Sequence, residues 1–181
     1  MQHIIFVTRS RLQLNYLIWR TIKKAHIPAS KEPIGLSRSD GKRPDGATLV
    51  PRSRWKLLAW DVTVSDTYAA SHIKMTAISA SAAAEKASNN KRVKYNDLAT
   101  THIFVPIAVE TSGAWRSQSA QFVEDLGRRI TAVTNEPLET TYLYHSVTPT
   151  RQCNSVQQHF PRDVIFFHHS GQSCSVTKYL I

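Results

Sequence analysis

Apolar residues recur at helical spacing between Leu12 and Ala25, where Leu14, Leu17, Ile18, Ile22 and Ala25 form one stripe and Pro28 ends the pattern. This predicts a helix with one buried face. Glu32–Leu36 reads as a short strand, with Pro33 placing it at an edge or a strand start. A polar loop, Ser37–Lys42, carries an Asp-Gly turn at Asp40-Gly41. Beyond it, Ala47–Val50 and Lys56–Val64 are β-branched or apolar runs of strand length, joined by Pro51-Arg52-Ser53-Arg54. That pair predicts a hairpin.

The stretch Ser65–Thr76 is mixed, and from Ala77 to Leu98 small, helix-favouring residues predominate. Ala80, Ala82, Ala83, Ala84 and Ala87 give a thin surface suited to lying close on a sheet, or else a weakly packed exposed helix. Ile103–Val109 is a continuous apolar run, as expected of a strand covered on both faces, with Pro106 in its middle. Ser117–Thr134 carries Ala120, Val123, Leu126, Ile130 and Val133 at helical spacing, with Ser117 or Ser119 as the cap. After Tyr144 the pattern decays, and the adjacent His168-His169 pair reads as surface. The order helix, strand, strand pair, helix, strand, helix predicts an α/β domain in which a mixed central sheet is flanked by helices. Its expected span is 1–144, followed by an irregular tail over 145–181.

Composition adds a partner class. The 181 residues carry a formal charge of +10, which points to an anionic partner, nucleic acid first. Basic groups recur at Lys23-Lys24, Lys42-Arg43, Arg52 and Arg54, Lys91-Arg92 with Lys94, and Arg128-Arg129. Cys153 and Cys174 have no metal-ligand spacing and suggest no disulfide framework, so a reducing compartment is expected. No apolar run reaches membrane-spanning length, and Met1–Arg9 lacks the form of a secretory signal. A soluble protein of the nucleus or cytoplasm is the expectation.

The hairpin concentrates the candidate chemistry. If Arg52, Ser53 and Arg54 form its loop, Asp45 faces Asp61, whereas a slip by one residue sets Asp45 opposite Trp60. Like charges directly opposite repel, and Asp61 sits in an apolar run where an unpaired carboxylate is costly. A divalent cation removes both penalties, and oxygen donors of this kind suit Mg2+ or Mn2+. The alternative is structural: Asp before Gly is turn chemistry, and a strand Asp is satisfied by a nearby Arg or a loop amide.

Three segments then acquire a shared meaning. Arg43-Pro44-Asp45, Asp61-Val62-Thr63-Val64 and Lys91-Arg92-Val93-Lys94-Tyr95 resemble the restriction-endonuclease-like domain of site-specific non-LTR retrotransposons, a branch of the PD-(D/E)XK nucleases. The phrases Lys31–Leu36, 38–46, Val105–Thr111 and Leu126–Ile130 are similar to retroelement-derived reading frames of animal genomes. The resemblance runs from Leu12 to Tyr144. It implies a restriction-endonuclease-like core, with Asp45 and Asp61 as ligands of Mg2+ or Mn2+ and Lys91 as the catalytic lysine, assisted by Lys94 or Tyr95. It also implies hydrolysis of a DNA phosphodiester that nicks the target strand, with no small-molecule substrate. DNA contacts are expected from Lys42, Arg43, Arg52, Arg54, Lys94, Arg128 and Arg129. Two departures stand out. Thr63 occupies the usual position of the family's lysine, which in the retrotransposon branch has moved to the following helix, where Lys86 rivals Lys91. Within these 181 residues there is also no reverse transcriptase and no cysteine-histidine zinc motif. A catalytically inactive nucleic-acid-binding remnant and a plain interaction domain are the alternatives.

Overall fold

The computed structural model describes residues 2–37, 40–53, 55–147, 168–170 and 173–175. In chain order the elements are α1 (Gln2–Lys24), β1 (Ala29–Lys31), β2 (Gly46–Thr48), β3 (Leu57–Ser65), α2 (Ile73–Thr76), α3 (Ala82–Lys94), β4 (His102–Glu110), α4 (Ser117–Thr134) and α5 (Glu139–Val147). Short 3-10 turns occupy Ile34–Leu36 and Asn96–Thr100. A separate ladder pairs β5 (His168–Ser170) with β6 (Ser173–Ser175). The main sheet is mixed and open, in the order β1-β2-β3-β4, with its first two pairings antiparallel and the β3–β4 pairing parallel. The domain is therefore α/β, with helices flanking a four-stranded sheet.

The two-residue period of β3 divides the molecule into layers. Leu58, Trp60, Val62 and Val64 point into the main core with Leu14, Ile18 and Ile22 of α1, Ile107 and Val109 of β4, and Val123, Leu126 and Ile130 of α4. The intervening Asp61 and Ser65 face α3: Lys91 reaches Asp61, and the Ser65 hydroxyl donates to the Ala83 carbonyl at 3.4 Å. Ala83, Ala84 and Ser88 are the buried residues of α3, so this helix lies close on the sheet through small side chains.

Several expectations are corrected. Helix α1 begins well before Leu12. The strand expected at Glu32–Leu36 falls earlier, at Ala29–Lys31, because Glu32 turns to φ 47° and Pro33 has no N–H to offer a ladder. The helix expected over 77–98 is shorter: α3 spans Ala82–Lys94, with Ser81 in the left-handed region at φ 66° just before it, while the short α2 (Ile73–Thr76) falls in the stretch read as mixed. Neither Ser117 nor Ser119 caps α4; its N-cap is Arg116, without a side-chain cap bond.

Ser119 instead closes the free edge of β4, donating to the Pro106 carbonyl at 3.2 Å and accepting from the Ala108 N–H at 2.9 Å. Pro106 fits because β4 is an edge strand, and the nitrogen of a strand residue points to the same side as its carbonyl, here away from β3. Helix α5 docks on the core through the buried Leu143, Tyr144 and Val147. Gly127 permits that docking: a Cβ there would stand 2.8 Å from the Thr140 Cα. Among the described residues no helix is long and apolar enough to cross a membrane.

Candidate active site

Gly46 pairs with Trp60 and Ala47 with Ala59, so Asp45, one residue before β2, lies opposite Asp61. The register is the one expected, but a different connection holds it. β2 ends at Thr48, and the turn closes through an isolated bridge between Ser53 and Lys56. The Thr48 hydroxyl accepts from the Leu58 N–H at 3.0 Å, which ties the two strands together at that end. At the other end, the Trp60 ring fills the space where Gly46 lacks a side chain: a Cβ there would be 2.0 Å from Trp60 Cζ2. Gly46 thus serves ring packing rather than a turn.

Asp45 takes over where β2 runs out. Its Oδ2 accepts from the Val62 N–H at 2.7 Å, in place of the next ladder carbonyl, and its Oδ1 accepts from Arg11 Nη2 at 2.7 Å. Arg11 Nε donates to the Val62 carbonyl at 3.0 Å, so one guanidinium satisfies both the carboxylate and the unpaired strand. Burial, and next the charge of Asp61, raise the Asp45 carboxyl above its ordinary range; the Val62 N–H, Arg11 and Lys91 pull the other way.

Asp61 is 1% exposed, and its Oδ1 accepts from Lys91 Nζ at 2.6 Å. Lys91 comes from the last turn of α3, three residues after the buried Ser88 on the face that meets the sheet. Lys86 lies elsewhere, exposed beside a groove bordered by Met75, Ser79 and Asn89. Lys94 Nζ donates to the Tyr95 hydroxyl at 2.9 Å, and that hydroxyl donates to the Arg43 carbonyl at 2.8 Å. Tyr95 is itself buried, its ring 4.9 Å from that of Phe104, so it pins the segment leading into Asp45 against the end of α3. Burial, and then the neighbouring charge of Lys91, lower the Lys94 pKa.

The remaining basic residues divide. Lys42 stands near enough to Lys94 to affect its charge, and Arg43 ion-pairs with Glu32 at 2.5 Å beside the site. Arg52 and Arg128 instead share Asp125 on α4, at 3.8 and 2.6 Å, while Arg129 Nε donates to the Ala25 carbonyl at 3.1 Å. Arg54 lies outside the described residues.

Sequence reasoning missed Arg11, which lies just before the helical stripe that begins at Leu12 and meets Asp45 and the Val62 carbonyl across the fold. It also missed Glu110, a buried carboxylate whose Oε1 accepts from the Ala83 N–H at 2.9 Å and the Ala84 N–H at 3.4 Å at the start of α3. The available signal was an acid closing an apolar strand. Arg116, 6% exposed, forms a two-pronged bond to Glu85 at 2.5 and 2.9 Å that carried no linear signature.

The donor chemistry fits Mg2+ or Mn2+, which bind through one or two carboxylates and retain waters. Asp45 and Asp61 supply those carboxylates. Two residues from Asp61, Thr63 Oγ1 is buried with no hydrogen-bond partner among the described residues, as is Ser88 Oγ. Among the described residues no cluster of three or more His, Cys, Asp or Glu adds further ligands. Compared with known proteins, the chain matches no family model and no curated protein.

Proposed function

We propose that the chain is a metal-dependent DNA endonuclease domain with a restriction-endonuclease-like core, of the kind carried by site-specific non-LTR retrotransposons. The observation that carries this reading is the meeting of Asp45, Asp61 and Lys91, contributed by three separate segments, with Lys91 Nζ 2.6 Å from the otherwise buried Asp61 carboxylate. Burying two carboxylates side by side against an ammonium is costly for stability alone, and such groups concentrate where chemistry is done. Asp45 and Asp61 would hold the cation; Mg2+ or Mn2+, when bound, polarises a phosphate and acidifies a water. Lys91 orients Asp61 and offsets negative charge developing on the phosphate oxygens. Tyr95 acts as a positioning residue through the Arg43 carbonyl. DNA is the partner, and the work is done in the nucleus or cytoplasm.

A second reading has its own observation. Both Asp45 oxygens already accept hydrogen bonds, from Arg11 and Val62, as in a purely structural carboxylate. This favours a nucleic-acid-binding domain without catalysis.

Supercoiled plasmid incubated with Mg2+, Mn2+ or EDTA separates the two. Open circles should form only with metal, and Asp61→Asn should prevent them. Binding without nicking in either metal supports the second reading and ends the first.

A further inference from the structure

Part of the positive charge is spent on internal pairing, and part stays exposed. Arg11, Lys24, Arg43, Arg52, Lys91, Arg116 and Arg128 each meet a carboxylate. On the outer side of α1, by contrast, Arg20, Lys23 and Lys31 are exposed and make no ion pair among the described residues. They lie over two aromatic rings. Tyr16 and Trp19, 6.0 Å apart between centroids, carry Arg20 at 5.6 Å over Tyr16 and Lys23 at 4.8 Å over Trp19. Lys31, from the edge strand β1, covers both at 5.3 and 5.0 Å. Helical spacing explains the alignment, since positions 16, 19, 20 and 23 share one face of α1. The Trp19 ring is fixed by its Nε1–H, which donates to the Ala29 carbonyl at 3.3 Å, and Tyr16 is 46% exposed.

We infer that this surface is a second nucleic-acid contact, built to take a single-stranded segment. Cations interleaved with aromatic faces match the two repeating features of a single strand, its phosphates and its unstacked bases. Lys23, Lys31 and Arg20 are held by the rings in an outward array, so little freedom is lost when phosphates replace the rings as their partners. The ring faces they uncover are then open to bases, and stacking is the stronger interaction than an exposed cation–π contact. A duplex offers phosphates but keeps its bases stacked away. An anionic membrane would require apolar side chains free to insert, whereas Trp19 is tethered to the backbone. The surface is separate from the acidic pair, although close to it in the sheet: Lys31 pairs with Gly46, the neighbour of Asp45.

The test is binding by fluorescence anisotropy in EDTA, so that loss of cleavage and loss of this contact are told apart. Full-length protein and variants are titrated with single-stranded and duplex oligonucleotides of equal length at several salt concentrations, and with phosphatidylserine vesicles. Lys23→Ala/Lys31→Ala should weaken single-strand binding and reduce its salt slope by about 1.4, for two phosphate contacts. Lys74→Ala/Lys86→Ala, which removes the same charge elsewhere, should weaken it less. Tyr16→Leu, which keeps bulk but removes the ring face, should weaken single-strand binding about fivefold or more and leave duplex binding unchanged. Equal effects of the two lysine pairs, no effect of Tyr16→Leu, or binding to vesicles in preference to nucleic acid would overturn the inference.

Discussion

Lys91 illustrates what a single side chain does twice. Its ammonium is the partner of a carboxylate that is almost wholly buried, so under the proposed function its removal would be felt in both nicking and stability. Lys91→Met should remove metal-dependent nicking while leaving duplex affinity within about twofold, because one contact among many contributes little. It should also lower stability by about 3 kcal/mol in urea unfolding, as expected when a buried charge loses its partner. Mg2+ should restore more of that loss than it adds to the wild type, since the cation takes over the same carboxylate. Lys86→Ala should alter neither property. Equal stabilisation of wild type and Lys91→Met by Mg2+ would argue against a cation at Asp61. At this scale the acids and the basic helix end were legible in the linear pattern. The roles of Arg11 and Glu110 were not, because each acts on backbone N–H or C=O groups that only become unpaired once the strands and α3 are in place, although an acid closing an apolar strand marked Glu110.

The elements explain why the site is rigid. β3 and β4 share nine parallel pairings, from Leu57 with His102 to Ser65 with Glu110. α3 spans the two strands, fixed at its start by Glu110 and at its end by Lys91 and Tyr95. His102 opens β4 and is 8% exposed; burial lowers its pKa below the ordinary 6.5. The neutral ring is therefore favoured in the folded state. Its contribution to stability is fully present above the unfolded pKa of about 6.5 and is lost as pH falls through the depressed folded value. Urea midpoints measured at pH 7.5 and 5.5 should fall more for the wild type than for His102→Gln. An equal fall would show that other groups carry the acid sensitivity. The long amphipathic elements were readable from periodicity, α4 to its bounds. Short ones were read less well: β1 lies before the expected Glu32–Leu36, and β2 overlaps the expected Ala47–Val50 but ends at Thr48, because three positions are too few to show a period and their pairing is set by Glu32 turning away and by Trp60 lying over Gly46.

For the whole molecule, the charge of +10 acts at longer range than any pair. Duplex binding should be weakly sequence-dependent and steeply salt-dependent, with affinity falling about a thousandfold between about 50 and 200 mM salt for about six phosphate contacts. Anisotropy titrations across salt check this. A flat dependence, or no binding at low salt, would favour an interaction domain without a nucleic-acid role.

What the sequence by itself determined is local and periodic: the helical stripe of α1, the β3 and β4 runs, the α4 face and the net charge, while the Asp45–Asp61 register was one of two it allowed. These follow from burial patterns that repeat every two or 3.6 residues, and a register shift by one would turn every core residue of β3 outward. What only the tertiary structure decided is which charges meet. Lys91, rather than Lys86, reaches Asp61 because the small residues of α3 place one particular face on β3. Arg11 reaches Asp45 because β2 is too short to pair with Val62, leaving a strand edge that a guanidinium and a carboxylate complete. Partners 30 to 51 residues apart are chosen by packing, which no linear spacing encodes.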